Sequence, residues 1–143
     1  MQLRILCVGK LKQPGLEALV DDYRKRSQSL LPSELLALRD MAQLRERMQP
    51  SKSGPRVVVD ERGEQVTTAV LATWLADWRD RGVRSVDFSI GDAHGFSDAD
   101  RQAADRVLAL SRLTLPHRLA QVLLVEQLYR AGTILAGHPY HHE

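Results

Sequence analysis

The sequence predicts an α/β fold, with a mostly parallel sheet and helices on both of its faces. Short apolar segments alternate with longer segments in which apolar residues recur every three or four positions, as in strand–helix–strand units. The run Val57 to Val59 is continuously apolar, which is typical of a parallel strand covered on both faces. Within the stretch from Phe88 to His117, strand residues run into a loop with two glycines, Gly91 and Gly95. Ligands bind at the carboxyl ends of strands in such sheets, so this stretch is the predicted site.

The composition fits a single globular domain over residues 1–143. Hydrophobic residues make up 43% and charged residues 27% of the chain, which excludes a disordered or fibrous class of protein. The formal net charge of +2 does not by itself indicate a nucleic-acid partner, because such a partner needs a concentrated basic patch.

Cys7 is the single cysteine and lies in an apolar strand pattern, which predicts a buried thiol in a reduced compartment and excludes a disulfide within the chain. The strongest apolar run of the last predicted helix, 122–125, is far shorter than the ~20 residues that span a bilayer. The first residues do not form a signal-peptide pattern. We therefore expect a cytoplasmic protein without a membrane partner.

The first third of the chain predicts two strands and two helices. Gln2 to Val8 is an apolar-rich segment closed by a glycine, as a strand would be. After Pro14, apolar residues recur at helical spacing and charged residues occupy the remaining face, which predicts an amphipathic helix. A weak second strand over Glu34 to Leu38 and a short helix over Met41 to Met48 follow.

The middle of the chain predicts a loop, a strand and a helix. Residues 50–55 form a loop rather than a domain linker, because too few residues flank them to build two cores. The strand Arg56 to Asp60 is expected to open into a loop over Glu61 to Glu64. In the next helix, apolar residues recur every four positions, at Val66, Val70, Trp74 and Trp78. Both tryptophans are expected in the core or an interface rather than stacked on a ligand.

A fourth strand is predicted over Val83 to Ile90. Ser97 and Asp100 then resemble a helix-capping pair at the start of a helix that continues to about Ala109. A short strand is predicted after that helix, ending at Leu115.

The last helix is predicted from about Arg118 to Ala136, ended by Gly137. Its run 122–125 is apolar on nearly all sides. This pattern predicts that the helix packs on the sheet and also on a second copy of the protein.

Three predicted loops follow strands at one edge of the sheet: 61–64, 91–96 and 115–117. The last two are expected to end two neighbouring strands. Apolar walls come from Leu110, Leu113 and Leu115. Such loops suit a flat heterocycle clamped between apolar side chains and recognised through backbone groups, whereas glycine-rich phosphate-binding signatures are absent. Both a ligand pocket and an ordinary strand-to-helix turn are consistent with this spacing.

The segment from Gly137 to Glu143 is rich in histidine, the side chain that exchanges protons most readily near neutral pH. Three interpretations stay open. The segment is a zinc site, a solvated tail, or a tail folded over a substrate, in which Tyr140 offers a stacking surface to a base. The zinc ligands would be His138, His141, His142 and Glu143.

Five motifs occur in this order along the chain: Val8-Gly9-Lys10-Leu11-Lys12, Asp60-Glu61-Arg62-Gly63, Ile90 to Gly95, Leu110 to His117 and His138 to His141. Together they resemble the small RlmH methyltransferases of the SPOUT class. The resemblance extends over essentially the whole chain, and its most specific parts are the Leu-Thr-Leu-Pro-His motif and the tail.

The resemblance implies methylation of N3 of a pseudouridine in large-subunit (23S) ribosomal RNA, with S-adenosylmethionine as the methyl donor. It also implies a SPOUT-type fold with a C-terminal deep trefoil knot that holds the cofactor, and a homodimer as the working unit. Because the basic excess of the chain is small, we expect the assembled ribosome, rather than naked RNA, to be the substrate.

The resemblance further assigns site residues. The cofactor contacts would be Val59, Gly91, Leu110, Ser111, Arg112, Leu113, Thr114 and Leu115. The tail would approach the target base with Tyr140 and His141. His141 or Glu143 would take the N3 proton, while Arg112 or a tail histidine balances the charge. No metal ligand is implied.

One departure concerns the glycine loop, because Asp92 stands where the family usually has a second glycine. The loop must tolerate this side chain, and an inward-pointing carboxylate would favour a cationic sulfonium. Two alternatives to the enzyme remain. One is a non-catalytic, dimeric ribosome-binding module of the same fold, and the other is a flavodoxin-like binder of small molecules.

Overall fold

The computed structural model describes residues 1–50 and 54–142, which form a five-stranded sheet and five helices. The strands are β1 (Gln2–Val8), β2 (Ser33–Leu38), β3 (Arg56–Gln65), β4 (Ser85–Ile90) and β5 (Arg106–Ala109). The helices are α1 (Pro14–Ser27), α2 (Met41–Arg47), α3 (Thr68–Asp80), α4 (Asp98–Ala103) and α5 (His117–Leu135). The predicted α/β class is confirmed.

The strand order is β2-β1-β4-β3-β5, and every neighbouring pair is parallel. The carboxyl ends of all five strands therefore meet at one edge, which we call the carboxyl edge. Because β3 lies between β4 and β5, the expectation that the two predicted loop-bearing strands are neighbours was wrong. The deep trefoil knot stays a prediction.

Helices cover both faces of the sheet, as predicted. Side chains alternate between the faces along each strand. On one face, Ile5 and Phe88 are fully buried in a cluster that includes residues of α1, α3 and α5. On the other face, Leu6 and Val58 pack with Leu44 of α2. Both tryptophans of α3 are buried in the first cluster, so their assignment to the core is confirmed. Cys7 is buried in that cluster too, and burial raises the pKa of its thiol to about 11.

The loop predicted over Glu61 to Glu64 lies within the longer strand β3. Val59 and Glu64 both pair with Leu108 of β5, so the ladder is interrupted between them and then resumes. Residues 60–63 form an excursion at the carboxyl edge. The sequence pattern could not reveal that the chain returns to the same partner strand, because this pairing depends on a distant segment.

The helix predicted to reach Ala109 ends at Ala103, and the strand predicted to end at Leu115 is β5, Arg106–Ala109. Ala104 already has an extended backbone, with ψ at 151°. Leu108 and Ala109 are each 2% exposed. Pairing with β3 and burial of these two residues override the helical tendency of the segment.

Several smaller boundaries also differ from expectation. The strand β4 begins at Ser85 rather than Val83, and Val70 is 38% exposed although it falls in the predicted row of four-residue steps. The capping box of Ser97 and Asp100 is confirmed. The loop predicted over residues 50–55 lies partly outside the described residues, as does Glu143 entirely. No helix in the described part of the chain is long and apolar enough to cross a membrane.

Candidate active site

A cavity of about 570 Å³ opens at the carboxyl edge. Its size lies within the range of small-molecule sites. The excursion of β3, the loop after β4 and the loop between β5 and α5 form its walls. They contribute residues 59–62, 90–96, 110–111, 113–117 and 120.

Seven of the eight predicted cofactor residues line this cavity. They are Val59, Gly91, Leu110, Ser111, Leu113, Thr114 and Leu115. Arg112, which is exposed, does not belong to the lining. The fold thus brings together residues up to 56 positions apart, from 59 to 115, while their contact with a cofactor stays a prediction.

Gly91 is buried in the wall of the cavity, close to Gly95 and Phe96 of the same loop. A Cβ atom there would lie 3.3 Å from Cε2 of Phe96 and 3.4 Å from Cα of Gly95. The first distance is tighter than ordinary van der Waals contact and the second lies at its lower limit, so the Phe96 ring would have to shift to admit a side chain at Gly91. A glycine at this position therefore lets the loop after β4 fold closely against the end of its strand.

Asp92 stabilises the turn of the glycine loop. Its carboxylate accepts a hydrogen bond from the backbone N–H of His94 at 2.9 Å, and its carbonyl accepts one from Gly95 at 3.0 Å. No non-glycine residue in the described ranges has a positive φ, so Asp92 needs no left-handed backbone. The loop tolerates a side chain because that side chain satisfies a turn N–H.

An arginine clamp joins two walls of the cavity. Arg101 Nη1 donates to Asp60 Oδ2 at 3.1 Å and to the carbonyl of Phe96 at 2.7 Å, and the same guanidinium pairs with Asp98. The Asp60 side chain is only 6% exposed. Its other oxygen accepts the N–H of Arg62 at 2.8 Å. The clamp therefore fixes the β3 excursion against the end of the glycine loop.

Another hydrogen bond joins the β3 excursion to the third wall of the cavity, the loop between β5 and α5. The hydroxyl of Thr114 donates to Glu61 Oε2 at 2.7 Å. Sequence reasoning missed both connections, since their partners are 41 and 53 positions apart. The usable signal was the position of Asp60 directly after the apolar run Val57 to Val59, because a carboxylate beside buried residues needs a cation or hydrogen-bond donors nearby.

The tail lies against α5 and away from the cavity of its own chain. The Tyr140 hydroxyl donates to Glu126 Oε1 at 3.2 Å, and its ring centroid lies 4.7 Å from that of Tyr129. The guanidinium of Arg130 lies 4.7 Å from the centre of the Tyr140 ring. Burial is the main reason that the pKa of Tyr140 rises to about 12, so its phenol is neutral near pH 7.

The histidines of the tail differ in their surroundings. His141 Nδ1 is buried and has no hydrogen-bond partner among the described residues. His138 Nδ1 accepts the backbone N–H of Tyr140 at 3.2 Å, and His142 is exposed. Across residues 1–50 and 54–142, we find no group of three or more side chains placed to hold a metal ion.

The length of α5 separates the tail from the cavity of the same chain. His117, which lines the cavity, begins this helix of 19 residues, and a helix of that length spans about 28 Å. The six residues from Gly137 to His142 reach only about 20 Å when fully extended. Neither Tyr140 nor His141 lines the cavity of its own chain, and Tyr140 folds back along α5 as far as Glu126.

A parallel sheet with a cavity formed by loops after its strands is typical of α/β proteins that bind a cofactor or another small ligand at that edge. Residues 1–141 match the family described as "Predicted SPOUT methyltransferase". With its full-length relatives, this match shows that the chain belongs to the RlmH family, the ribosomal RNA large subunit methyltransferases H. It is an S-adenosylmethionine-dependent methyltransferase.

Two relatives illustrate the match. The ribosomal RNA large subunit methyltransferase H of Geobacter metallireducens is 42% identical, and the alignment covers 99% of both chains. That of Koribacter versatilis is 41% identical over 99% of this chain and 98% of the relative.

Solved structures share the fold. A probable methyltransferase from Bordetella pertussis has a TM-score of 0.56 at 12% identity and covers 90% of this chain and 95% of its own. A putative methyltransferase from Legionella pneumophila, solved with S-adenosylmethionine bound, has a TM-score of 0.53 at 12% identity. That match covers 92% of this chain and 66% of the other.

Replacement of Arg101 by lysine tests the arginine clamp. We expect Arg101→Lys to raise the Kd for S-adenosylmethionine by about tenfold, because Nη1 holds Asp60 and the Phe96 carbonyl while Nη2 holds Asp98, and a single ammonium nitrogen cannot occupy both positions. Isothermal titration calorimetry measures this Kd.

Arg56→Lys is the matched control for the clamp. Arg56 also bridges a carboxylate and a carbonyl, those of Asp105 at 3.3 Å and Met48 at 2.8 Å, but it does so at the opposite edge of the sheet. We expect this variant to bind the cofactor as the unaltered chain does. An unchanged Kd for Arg101→Lys, or an equal increase for Arg56→Lys, would contradict a specific role for the clamp.

Proposed function

We propose that this chain methylates N3 of a pseudouridine in large-subunit (23S) ribosomal RNA, acting as a cytoplasmic homodimer on the assembled ribosome. The observation that carries the proposal is the cavity at the carboxyl edge, which gathers seven of the residues that the RlmH resemblance assigns to the cofactor. The names of the full-length relatives support ribosomal RNA as the substrate.

The cavity fits S-adenosylmethionine. Leu110, Leu113 and Leu115 offer apolar surface to the adenine, and the loop backbone at Gly91, which also lines the cavity, offers polar groups to its edge. The arginine clamp keeps the β3 excursion, and with it Val59, at a constant distance from that wall. The bound cofactor supplies an electrophilic methyl group. Rigid walls matter here because methyl transfer depends on alignment of donor and acceptor.

A second copy of the chain supplies the tail in this proposal. Leu119 and Leu123 lie one turn apart on α5 and are 43% and 44% exposed, and Leu113 in the neighbouring loop is 74% exposed. Burial of these side chains against a partner would be favourable. Two α5 helices that pack antiparallel place the tail of one chain beside the cavity of the other.

The tail provides the proton acceptor. N3 of pseudouridine carries a proton that must leave before or during methyl transfer, and a neutral imidazole near pH 7 is suited to take it. We assign this step to Nε2 of His141, because the residue is only partly buried and its Nδ1 is the inaccessible ring nitrogen. Glu143 is the alternative base, and it lies outside the described residues. Tyr140, which stays protonated, orients the tail through Glu126, while Arg112 or a tail histidine balances the developing charge.

The test is incubation of the purified protein with radiolabelled S-adenosylmethionine and ribosomes from cells that lack this methylation. We expect label at N3 of one pseudouridine of the large-subunit RNA, and much less label on protein-free RNA. Equal rates on both substrates would refute recognition of the assembled ribosome. Absence of label from a folded, dimeric preparation that binds the cofactor would refute the assigned substrate.

A further inference from the structure

Unpaired cations collect around the cavity. Eight lysines and arginines in the described ranges form no ion pair with another described residue, whereas eleven arginines do. Five of the eight lie at the carboxyl edge, and we call them the basic rim. They are Lys10, Lys12, Arg62, Arg112 and Arg118.

The other three unpaired cations lie toward the opposite edge of the sheet. Lys25 is in the last turn of α1, Arg47 is the last residue of α2, and Arg84 directly precedes β4. Ion pairs thus neutralise most of the basic residues elsewhere on the chain. The small net charge of +2 conceals a concentrated positive region.

The basic rim borders the cavity. Arg62 lines it, Arg112 lies between the lining residues Ser111 and Leu113, and Arg118 follows His117. Arg118 Nη1 also donates to the carbonyl of Lys10 at 3.1 Å, which holds the loop after β1 against the start of α5. The rim therefore extends from the cavity mouth to Lys10 and Lys12.

Most acidic groups at this edge already have hydrogen-bond or ion-pair partners. Glu61 accepts the Thr114 hydroxyl, Asp60 is held by Arg101, and Asp92 accepts the His94 N–H. Asp40 caps α2 and pairs with Arg39, and Glu17 lies in the first turn of α1, where the helix dipole stabilises it. None of the five rim cations has a carboxylate within ion-pair distance in the described part of the chain.

We infer that the basic rim binds the phosphate backbone of the RNA that carries the target base. The inference rests on the proposed function. Clustered like charges repel one another in the free protein, and a polyanion that releases its counterions on binding removes this cost. Arg112 lies in this rim outside the cofactor cavity, so it can contact a phosphate beside the target base as well as balance the developing charge.

Two double variants test the rim at equal net charge. The first is Lys10→Gln with Lys12→Gln, and the control is Lys25→Gln with Arg84→Gln. The measurements are affinity for large ribosomal subunits over a range of salt concentrations, KM and kcat for methylation, and the Kd for S-adenosylmethionine.

For the rim variant we expect the slope of log affinity against log salt to fall by about 1.4 to 1.8, because two phosphate contacts are lost. We expect KM to rise by about tenfold, with kcat and the cofactor Kd unchanged. The control variant keeps the slope and KM of the unaltered chain.

The outcomes separate this inference from the proposed function. If the slope of log affinity against log salt were the same for the rim variant and the unaltered chain, the basic rim would not bind RNA phosphates. This conclusion would hold even if the enzyme were fully active. An equal loss in both double variants would also overturn it, because the effect would then follow net charge. Absence of methylation, together with a salt slope that depends on the rim, would refute the proposed reaction and leave the RNA-binding surface intact.

Discussion

A chain that ends at Gly137 is expected to lose methyl transfer by at least a factor of about 100 while it binds S-adenosylmethionine normally. General-base catalysis contributes roughly 10² to 10⁴ in rate, and the truncation removes His141 and Glu143 together. Cofactor binding persists because no described tail residue lines the cavity. Single-turnover methylation of ribosomes and calorimetric titration of the cofactor measure the two effects.

The matched controls for the truncation are two single substitutions. His141→Ala removes only the proposed base and is expected to reproduce most of the loss. Tyr140→Phe keeps the ring contact with Tyr129 but loses the hydrogen bond to Glu126, so we expect a smaller effect. A truncated chain that methylates at the rate of the full chain would exclude the tail from catalysis.

Mixed dimers test the transfer of the tail between copies. A truncated chain has an intact cavity, and a chain with Gly91→Val has an intact tail but a distorted cavity wall, because the new side chain meets Phe96 and Gly95. If the tail acts on the partner, a mixture of the two inactive variants should recover part of the activity. Activity that does not recover in a mixture proven to contain mixed dimers would contradict this arrangement.

The substitution Gly63→Ala is expected to cause the second large effect, a loss of stability together with cofactor affinity. The new Cβ would lie 2.7 Å from both the carbonyl carbon and the oxygen of Val107, so backbone must move. Overpacking of this kind costs about 1–3 kcal/mol. At roughly 2–4 °C per kcal/mol for a chain of this size, Tm should fall by about 2–12 °C.

Cofactor affinity should fall in the same variant because Gly63 belongs to the excursion that carries Asp60. A displaced excursion draws Asp60 away from Arg101 and widens the cavity. Thermal unfolding and calorimetry measure the two quantities.

Gly15→Ala is the control for this substitution. Gly15 lies in the first turn of α1, and a Cβ there meets no atom within 4 Å. We expect unchanged or slightly higher stability, because alanine favours the helix. A Tm for Gly63→Ala equal to that of Gly15→Ala would mean that the close approach to Val107 is not a constraint.

Local patterns predicted much of the fold. The alternation of strand and helix periods identified the α/β class, and four of the five strands lie within a few residues of their predicted positions. Ser97 with Asp100 and Gly137 marked helix ends correctly, since caps depend on residues close in sequence. The motifs after the strands also indicated which segments form the cavity.

Long-range pairing decided what the sequence alone could not. The strand β5, its return pairing with Glu64 and the clamp between Asp60 and Arg101 join residues that are 41 or more positions apart. No local period records such partners, because their stability comes from burial and hydrogen bonds that form only in the folded chain. The position of the tail depends likewise on the length and direction of α5. The sequence by itself therefore determined the elements and the residue types of the site, and the tertiary structure decided which of them meet.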